Sequence, residues 1–332
     1  MIEKAMNIPV AFCASEQYLS FTAVSIWSII CESSYAEFYS VYILHRQIPL
    51  ERQKSFADLF ASQKNIKIEF INVSPLLEIY LPNSVRIKET WFSLLLAECL
   101  PSCEKIIALD SDLIVKRNLS ELFQISVRNV YLAAALDPDF IGQFHSGNPF
   151  YRRYYSEVVP IPNPYRYFQG GVYLLNLKEI RKDFGSGELI REASRGYRFD
   201  DQDVLNMRCY RAVRIISMRW NVLYDSFGYR RNRVIALATK VVREEYEVSR
   251  KDPWVIHYAG GERPWINPAC DFGDAFWQVA NSSPVASELR EILCKANIEK
   301  KRSIHHPFLR AARWLLFITR RFRLVLREGK DA

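Results

Sequence analysis

Short apolar runs alternate with segments of helical periodicity along most of this chain, and that alternation restricts the folds open to it. Residues 8–13 form an apolar run, followed by a polar corner and a helical pattern through Val24, Trp27 and Ile30. The same order recurs downstream, with predicted helices at 52–62 and 91–100 and predicted strands at 41–44, 66–73, 105–109, 131–136, 171–177, 213–216 and 254–257. Strands that alternate with helices predict an α/β fold, with a largely parallel sheet covered on both faces. Ligands of such sheets bind beyond the carboxyl ends of the strands.

Composition and length exclude several classes of protein. The 332 residues are 49% hydrophobic and 25% charged, which is the balance of a folded domain and not of a disordered, collagen-like or coiled-coil chain. The formal net charge is +8. Residues 1–296 carry 35 basic and 34 acidic side chains, whereas residues 297–332 carry 10 and 3. The nearly neutral body offers no basic patch, so we expect no nucleic-acid partner.

The cysteines and the apolar stretches bear on the location of the protein. Seven cysteines include no Cys-x-x-Cys pair, and their odd number leaves no closed set of disulfides; reduced thiols in a reducing compartment are predicted. The first residues do not resemble a secretory signal. No apolar stretch reaches the roughly 18 residues of a membrane-spanning helix. These patterns predict a cytoplasmic protein.

Two aspartates directly follow a predicted strand. Asp110 and Asp112, separated by Ser111, lie between the apolar runs 105–109 and 113–115. Two carboxylates buried at this place require a neutralising cation. Aspartate oxygens are hard ligands that suit Mg²⁺ or Mn²⁺, with water or phosphate in the remaining positions. The alternative is a solvated Asx turn between two strands.

A histidine and two glycines follow the last predicted strand. His257 ends that strand and supplies an imidazole that could complete a metal site with the two aspartates. The alternative is a core histidine satisfied by its neighbours. Gly260-Gly261 gives a backbone that can approach a phosphate, and Arg263 gives a guanidinium that can pair with it; the alternative is an ordinary Gly-Gly turn.

Two more polar segments adjoin predicted elements. At the start of a predicted helix, Gln202 is flanked by three acids, Asp200, Asp201 and Asp203. Helix capping explains one such acid, and the surplus carboxylate and amide could hydrogen-bond a polyhydroxylated ligand. Gln169-Gly170 precedes the strand 171–177, either as part of a site or as a loop that enters the strand.

These motifs follow one another in a characteristic order, at residues 11–18, 109–115, 168–172, 201–206, 220–221 and 257–265. Together they resemble glycosyltransferase family 8, the retaining GT-A enzymes that include bacterial lipopolysaccharide galactosyl- and glucosyltransferases. The resemblance covers about residues 8–275. It implies a GT-A catalytic domain over 1–275, a Rossmann-like mixed, mainly parallel sheet with helices on both faces.

The resemblance also implies roles for individual residues. Asp110, Asp112 and His257 would hold Mn²⁺ or Mg²⁺, which binds the diphosphate of a UDP-hexose donor. Gln202 and Asp201 would be the catalytic residues, next to the anomeric carbon. The implied donor-binding set is Ala14, Ser15, Gln17, Asp110, Ser111, Asp112, Asp137, Gln169, Gly170, Asp201, Gln202, His257, Gly260 and Arg263.

Several positions depart from the family pattern. Ser15 stands where the family commonly has Asp, and Arg263 where it usually has Lys. Gln169-Gly170 falls where the family usually has Asn-Ala. Ser93 replaces an Arg, which removes a cation near the nucleotide.

The implied activity is metal-dependent, retaining transfer of glucose or galactose from a UDP-sugar to a saccharide acceptor, in bacterial lipopolysaccharide or another surface glycan. The metal and Arg263 would stabilise the diphosphate leaving group as its negative charge grows. Gln202 is a poor covalent nucleophile, so we expect a front-face displacement in which the departing phosphate helps to deprotonate the acceptor hydroxyl. The alternatives are a nucleotide-sugar-binding protein without turnover and a metal-dependent nucleotidyltransferase.

The C-terminal segment differs in composition from the rest of the chain. Residues 276–332 form a predicted helical region. Within it an apolar stripe at helical spacing predicts an amphipathic helix over about 303–327, through Phe308, Ala311, Leu315, Ile318, Phe322 and Val325. Its other side is rich in arginine, which favours the surface of an anionic bilayer. We therefore expect a peripheral location on the inner face of the plasma membrane; the alternative is a helix packed on the protein's own core.

Overall fold

The computed structural model describes residues 5–82 and 88–305 of the chain, with side chains up to residue 298. The strands are β1 (Met6–Cys13), β2 (Glu37–His45), β3 (Ile66–Asn72), β4 (Lys105–Leu109), β5 (Leu113–Val115), β6 (Leu132–Ala135), β7 (Val172–Asn176), β8 (Val213–Ile216), β9 (Val222–Leu223) and β10 (Val255–His257).

Thirteen α-helices lie within the described ranges: α1 (Leu19–Cys31), α2 (Leu50–Asp58), α3 (Ser74–Tyr80), α4 (Leu96–Cys99), α5 (Leu119–Phe123), α6 (Pro138–His145), α7 (Pro149–Arg153), α8 (Leu177–Asp183), α9 (Glu188–Arg191), α10 (Asp200–Cys209), α11 (Lys240–Lys251), α12 (Gly273–Ser282) and α13 (Ala286–His305). Short 3₁₀ and π turns connect several of them. No helix in the described part of the chain is both long and apolar enough to span a membrane.

Seven strands form the main sheet, in the order β3-β2-β1-β4-β7-β6-β8. Neighbouring strands are parallel except at β7, which runs antiparallel to both β4 and β6. The remaining three strands form a small sheet, in which β10 lies between β5 and β9. The chain passes from the main sheet to the small one between β4 and β5, which is the position of the two adjacent aspartates.

Hydrophobic side chains cover both faces of the main sheet. Along β4, Ile107 and Leu109 pack on the face of α1, whereas Ile106 and Ala108 pack on the opposite face, because successive side chains of a strand alternate. The first face is covered by α1, α2, α5, α12 and α13, and the second by α3, α4, α6, α8, α9, α10 and α11. The predicted α/β fold, with a mainly parallel sheet and helices on both faces, is confirmed.

The predicted strands are all present, but two predicted helices differ in extent or type. The helix predicted over 52–62 is α2, which ends at Asp58, because the next amides bond three residues back and turn the chain toward β3. The segment predicted as a helix over 91–100 begins as a 3₁₀ helix, Glu89–Leu95, and becomes α-helical only in α4. Four apolar residues of this segment are buried, namely Trp91, Phe92, Leu94 and Leu95. They lie on more than one side of the helix axis and do not form the single apolar stripe of an amphipathic α-helix. The amphipathic helix predicted over 303–327 lies outside the described residues, apart from its start at the end of α13.

Three buried hydroxyls attach α1 to the segment 111–115. Thr22, Ser25 and Ser28 lie one helical turn apart on one face of α1 and are almost fully inaccessible to solvent. Thr22 Oγ1 donates to Ser111 Oγ at 2.9 Å, and Ser25 Oγ donates to the carbonyl oxygen of Leu113 at 2.8 Å. Ser28 Oγ accepts the Val115 amide at 2.9 Å. These bonds fix the backbone that carries the two aspartates.

Replacing Ser28 by Ala should lower the free energy of unfolding by about 1–3 kcal/mol, because the buried Val115 amide loses its hydroxyl acceptor. Urea denaturation measures this change. Ser194→Ala is the matched control, since Ser194 Oγ is exposed and donates only to the carbonyl oxygen of Arg191; we expect a change of about 0.5 kcal/mol or less. Equal effects of the two substitutions would contradict a special role for the buried hydroxyl.

Candidate active site

The turn between β4 and β5 brings two carboxylates to the junction of the two sheets. The Asp110 amide donates to the carbonyl oxygen of Gly171 at 2.9 Å, which continues the pairing of β4 with β7. The Tyr258 amide donates to the carbonyl oxygen of Asp112 at 2.9 Å, beside the pairing of β5 with β10. The backbone of the turn is thus held from both sheets.

The register of β10 on β5 places His257 against both aspartates. His257 Nε2 lies 3.4 Å from Asp110 Oδ2 and 3.2 Å from Asp112 Oδ1, and the imidazole is almost fully buried. On the other side of the ring, Nδ1 lies 3.0 Å from Asn221 Oδ1. The Asn221 amide nitrogen donates to Gln169 and to the Gly170 carbonyl oxygen. Asn221 Oδ1 therefore accepts the Nδ1 proton, and Nε2 faces the carboxylates.

This group fits a divalent metal ion. One ligand atom from each of Asp110, Asp112 and His257 lies within 4.8 Å of the others. Burial lowers the pKa of His257, but the charges of Asp112 and Asp110 together raise it to about 9, so the site attracts positive charge strongly. Two carboxylates and one imidazole suit Mg²⁺ or Mn²⁺, and the bond from Asn221 fixes the orientation of the imidazole.

Gly171 lies against the metal-binding side chains. Its φ is +88°, a conformation that favours glycine. A Cβ atom at this position would fall 2.7 Å from His257 Nδ1 and 2.9 Å from Asp110 Oδ2. The residue therefore meets two requirements at once, a left-handed backbone and a close approach of β7 to the metal site.

A cavity of about 320 Å³ opens beside this group. Seven predicted site residues line it: Asp110, Asp137, Gln169, Gly170, Asp201, Gln202 and His257. Residues far apart in sequence, from β4, the start of α6, the loop before β7, α10 and β10, thus meet at one place. This convergence confirms that they are neighbours; their roles remain predictions.

The other predicted residues are not among those that line this cavity. Asp112 contacts His257, and Arg263 Nη1 donates to Asp112 Oδ2 at 2.6 Å while its Nε donates to the Gly260 carbonyl oxygen at 2.7 Å. Ser111 lies in the turn and donates to the Cys13 carbonyl oxygen at 3.4 Å. Ala14, Ser15 and Gln17 follow β1, the strand next to β4, and of these Ala14 is buried and Gln17 exposed.

Gln202 connects two walls of the cavity. Its Oε1 accepts the Gly170 amide at 2.6 Å, and its Nε2 donates to Asp137 Oδ2 at 2.9 Å. Asp137 Oδ1 accepts the Phe140 amide at the start of α6. A Cβ atom on Gly170 would lie 2.9 Å from Gln202 Oε1 and 3.0 Å from the Tyr173 hydroxyl, so glycine at this position leaves room for both groups.

Asp201 is half-buried on the wall of the cavity. Ser93 Oγ donates to Asp201 Oδ2 at 2.7 Å. Burial and the charge of Asp110 raise the pKa of Asp201 well above its usual range, against the opposing effect of the serine hydroxyl. Ser93, which replaces a family arginine, thus contacts a predicted catalytic residue directly.

The two acids on either side of Asp201 and Gln202 have other partners. Asp200 accepts hydrogen bonds from Lys88 at 2.9 Å and from Thr90 at 3.2 Å. Asp203 is fully buried and accepts the hydroxyls of Tyr154 and Tyr167 at 2.7 Å and 2.6 Å. These contacts fix α10 against its neighbours, so the acidic segment is divided between structural and cavity-facing carboxylates.

The buried carboxyl of Asp137 is expected to make the free energy of unfolding depend on pH. Burial and the nearby Asp139 raise its pKa to about 6, from 3.8, so the folded state favours the protonated form. Protonated Asp137 therefore stabilises the folded state. This stabilisation is complete below about pH 4 and is lost as the pH rises through 6. An Asp137→Asn variant cannot titrate at this site. We expect its stability relative to wild type to increase by up to about 3 kcal/mol between pH 4 and 7, measured by urea denaturation without added metal.

The exposed aspartate at the end of α2 supplies the control for that experiment. Asp58→Asn removes the same charge from a solvated position, and its stability relative to wild type should change little over this pH range. Parallel pH profiles for wild type and Asp137→Asn would contradict the raised pKa.

Sequence patterns missed several residues that line the cavity. Asp139 follows β6 closely, so the rule that ligands bind beyond strand ends could have identified it. Tyr151 lies in a segment with no motif, whereas Arg198 begins the acidic segment around Gln202 and was given no role of its own. Arg230 comes from an irregular segment, yet it donates to Asp139 Oδ2 at 2.9 Å and to the carbonyl oxygens of Tyr224 and Ala259 at 2.6 Å each.

A mixed α/β sheet whose strand ends bring an Asp-x-Asp pair to a histidine is typical of the GT-A class of glycosyltransferases. Residues 9–269 match the model of the family described as Glycosyl transferase family 8. The chain belongs to this family, and it is a glycosyltransferase.

Relatives and solved structures agree with this assignment. A putative glycosyltransferase of Haemophilus influenzae is 28% identical over 79% of this chain and 73% of its own length. A lipopolysaccharide 1,2-glucosyltransferase of Escherichia coli is 23% identical over 85% of this chain and 80% of its own length.

The apo structure of the bifunctional glycosyltransferase WbbM superposes with a TM-score of 0.77 at 23% identity, over 88% of this chain and 52% of WbbM. This chain therefore spans about half of WbbM. The galactosyltransferase LgtC, solved with donor and acceptor sugar analogs, superposes with a TM-score of 0.64 at 21% identity, over 83% of this chain and 96% of LgtC.

Proposed function

We propose that this glycosyltransferase moves glucose or galactose from a UDP-sugar to a saccharide acceptor, with retention of anomeric configuration, in the synthesis of bacterial lipopolysaccharide or another surface glycan. The observation that carries the proposal is the convergence of Asp110, Asp112 and His257 beside a cavity whose walls hold Gln202 and Asp137. The E. coli relative is a glucosyltransferase and LgtC is a galactosyltransferase solved with donor and acceptor sugar analogs, which favours a hexose as the transferred group and a saccharide as the acceptor.

The metal group is proposed to bind the donor diphosphate. Asp110, Asp112 and His257 would hold Mn²⁺ or Mg²⁺, which supplies positive charge to the leaving diphosphate when it is bound. Arg263 adds a guanidinium next to this group, already oriented by its bonds to Asp112 and to the Gly260 carbonyl oxygen. A hydrogen-bond donor that already points at the diphosphate stabilises the negative charge that develops there, and it lowers the activation barrier because it does not have to reorient during the reaction.

Gln202 is proposed to orient the donor sugar and not to attack it. Both ends of its carboxamide are engaged, by the Gly170 amide and by Asp137, and an amide is a weak nucleophile. One carboxylate oxygen of Asp201 is likewise engaged, since Ser93 Oγ donates to Oδ2 at 2.7 Å. We propose a front-face displacement, in which the bond from the anomeric carbon to the phosphate breaks, the bond to the acceptor oxygen forms on the same face, and the acceptor proton passes to the departing phosphate. Trapping a covalent glycosyl-enzyme on Asp201 would overturn this mechanism.

A panel of UDP-sugars tests the proposed function. Full-length protein is incubated with UDP-glucose or UDP-galactose and Mn²⁺ or Mg²⁺, and released UDP is measured with and without chelator. We expect metal-dependent UDP release from one of the two donors. Pyrophosphate release from UTP and a sugar 1-phosphate would instead support the nucleotidyltransferase. Donor binding with no turnover would support the binding protein.

The C-terminal segment is proposed to attach the protein to the inner face of the plasma membrane. Its basic amphipathic pattern favours anionic lipid, with about 1 kcal/mol contributed by each basic residue near the surface. Deleting residues 303–332 should abolish sedimentation with vesicles of phosphatidylglycerol and phosphatidylethanolamine while donor hydrolysis persists. Sedimentation of the truncated protein equal to that of the full chain would contradict the attachment.

A further inference from the structure

Arg198 places a positive charge on the wall of the cavity, among aromatic rings. Its guanidinium carbon lies 4.8 Å from the ring centre of Phe150, 5.7 Å from that of Phe199 and 6.0 Å from that of Tyr151. Both Arg198 and Tyr151 line the cavity, and burial raises the pKa of the Tyr151 hydroxyl while the charge of Arg198 partly opposes that rise. Rings packed around a guanidinium hold it in place without neutralising it.

Each carboxylate that lines the cavity is engaged by some other group. Asp139 pairs with Arg230 and Asp200 with Lys88. Asp137, Asp201 and Asp110 face Gln202, Ser93 and His257 respectively, as described above. Within the described residues, no carboxylate lies within 4.0 Å of the Arg198 guanidinium, whereas Arg230, the other cavity-lining arginine, is bound to Asp139 and two carbonyl oxygens. The Arg198 charge is therefore available to a ligand.

The position of Arg198 in the fold separates it from the metal group. Asp110, Asp112 and His257 come from the ends of β4, β5 and β10. Arg198 and its aromatic neighbours come from α7 and the turn before α10. An anion at Arg198 thus has a different set of partners from the donor diphosphate, which the metal group and Arg263 would bind.

We propose that Arg198, supported by Tyr151 and Phe150, is a specificity-determining residue that binds an anionic substituent, a phosphate or a carboxylate, on the acceptor saccharide. The planar guanidinium offers two parallel donors to an oxyanion, and the adjacent aromatic faces offer an apolar surface to the sugar ring. This inference rests on the proposed function, because it assumes that a saccharide other than the donor enters the cavity.

Binding of matched sugars tests the proposal. Full-length protein saturated with Mn²⁺ and UDP is titrated calorimetrically with glucose 6-phosphate, glucuronate, glucose and inorganic phosphate. We expect at least one charged sugar to bind about tenfold or more tightly than glucose. In Arg198→Gln this preference should fall to within about twofold, whereas Arg198→Lys, which retains the charge but not the fork, should keep part of it.

The controls separate a specific site from general charge and from misfolding. Arg128→Gln removes one exposed positive charge from the turn before β6 and should preserve the preference. Glucose binding by Arg198→Gln reports that the cavity is intact. Equal or undetectable binding of charged and neutral sugars by wild type, or a preference that persists in Arg198→Gln, overturns the proposal. If inorganic phosphate binds as tightly as glucose 6-phosphate, the sugar contributes nothing to binding, and the proposal that the anion is carried by a saccharide is overturned.

The proposed function and this inference can fail separately. UDP release from UDP-glucose and UDP-galactose is measured on the same preparations. If wild type releases no UDP, the transfer reaction is contradicted. If wild type releases UDP but binds charged and neutral sugars equally, only the role of Arg198 is contradicted.

Discussion

Replacing Asp112 by Asn is expected to lower metal-dependent UDP release about 10²–10³-fold. Asp112 is the more buried of the two aspartates. Its Oδ1 lies 3.2 Å from His257 Nε2, and its Oδ2 lies 2.6 Å from Arg263 Nη1. The burial of Asp112 opposes ionisation, yet His257 and Arg263 hold its pKa below the usual value. Asparagine keeps the shape and removes the charge, so the metal and Arg263 both lose their anionic partner.

Two measurements distinguish loss of the metal site from loss of the fold. Mn²⁺ should raise the unfolding temperature of wild type by mass action and raise that of Asp112→Asn much less. Asp58→Asn, which removes the same charge from an exposed position, should retain both UDP release and the Mn²⁺ shift. Wild-type UDP release by Asp112→Asn would exclude this aspartate from the reaction.

Replacing Gly171 by Ala is expected to reduce UDP release by a similar factor, although the substitution alters no polar group. The added Cβ would overlap the His257 ring and would fall 2.9 Å from Asp110 Oδ2. The neighbours available to move are both proposed metal ligands. We therefore expect a much weaker Mn²⁺-induced rise in unfolding temperature in Gly171→Ala than in wild type.

Gly196→Ala is the matched control for this substitution. Gly196 also has a positive φ, +68°, but a Cβ there would meet no atom within 4 Å. Both variants carry the backbone strain of a left-handed alanine, about 1 kcal/mol. Only Gly171→Ala adds a collision at the metal group. Equal losses of UDP release in the two variants would show that strain, and not displacement of the ligands, causes the defect.

Features that depend on strand ends could be predicted from the sequence. Asp110, Asp112 and His257 adjoin apolar runs, and the rule that ligands bind beyond strand ends identified them as candidates. The sequence did not indicate that β5 leaves the main sheet for a second one. That departure places β10 antiparallel to β5, and it brings His257 to the aspartates from the other side.

Features that depend on contacts between distant segments could not be predicted. Ser93 was interpreted as the loss of a cation, but the structure gives its hydroxyl a direct bond to Asp201, more than one hundred residues away. The acids around Gln202 look alike in sequence. Their different environments arise from Lys88, Ser93 and the tyrosines at 154 and 167, which only the folded chain brings near.

The proposed metal site depends on contacts between segments that are far apart in the chain. Thr22, Ser25 and Ser28 hold the segment 111–115 against α1, and the pairing of β10 with β5 brings in His257 from a point 145 residues beyond Asp112. A partly folded chain therefore contains the aspartates without the arrangement that binds a cation. Binding of the proposed Mn²⁺ or Mg²⁺ would then require that the two sheets have joined, and a chain emerging from the ribosome would gain that capacity only after β10 has been synthesised.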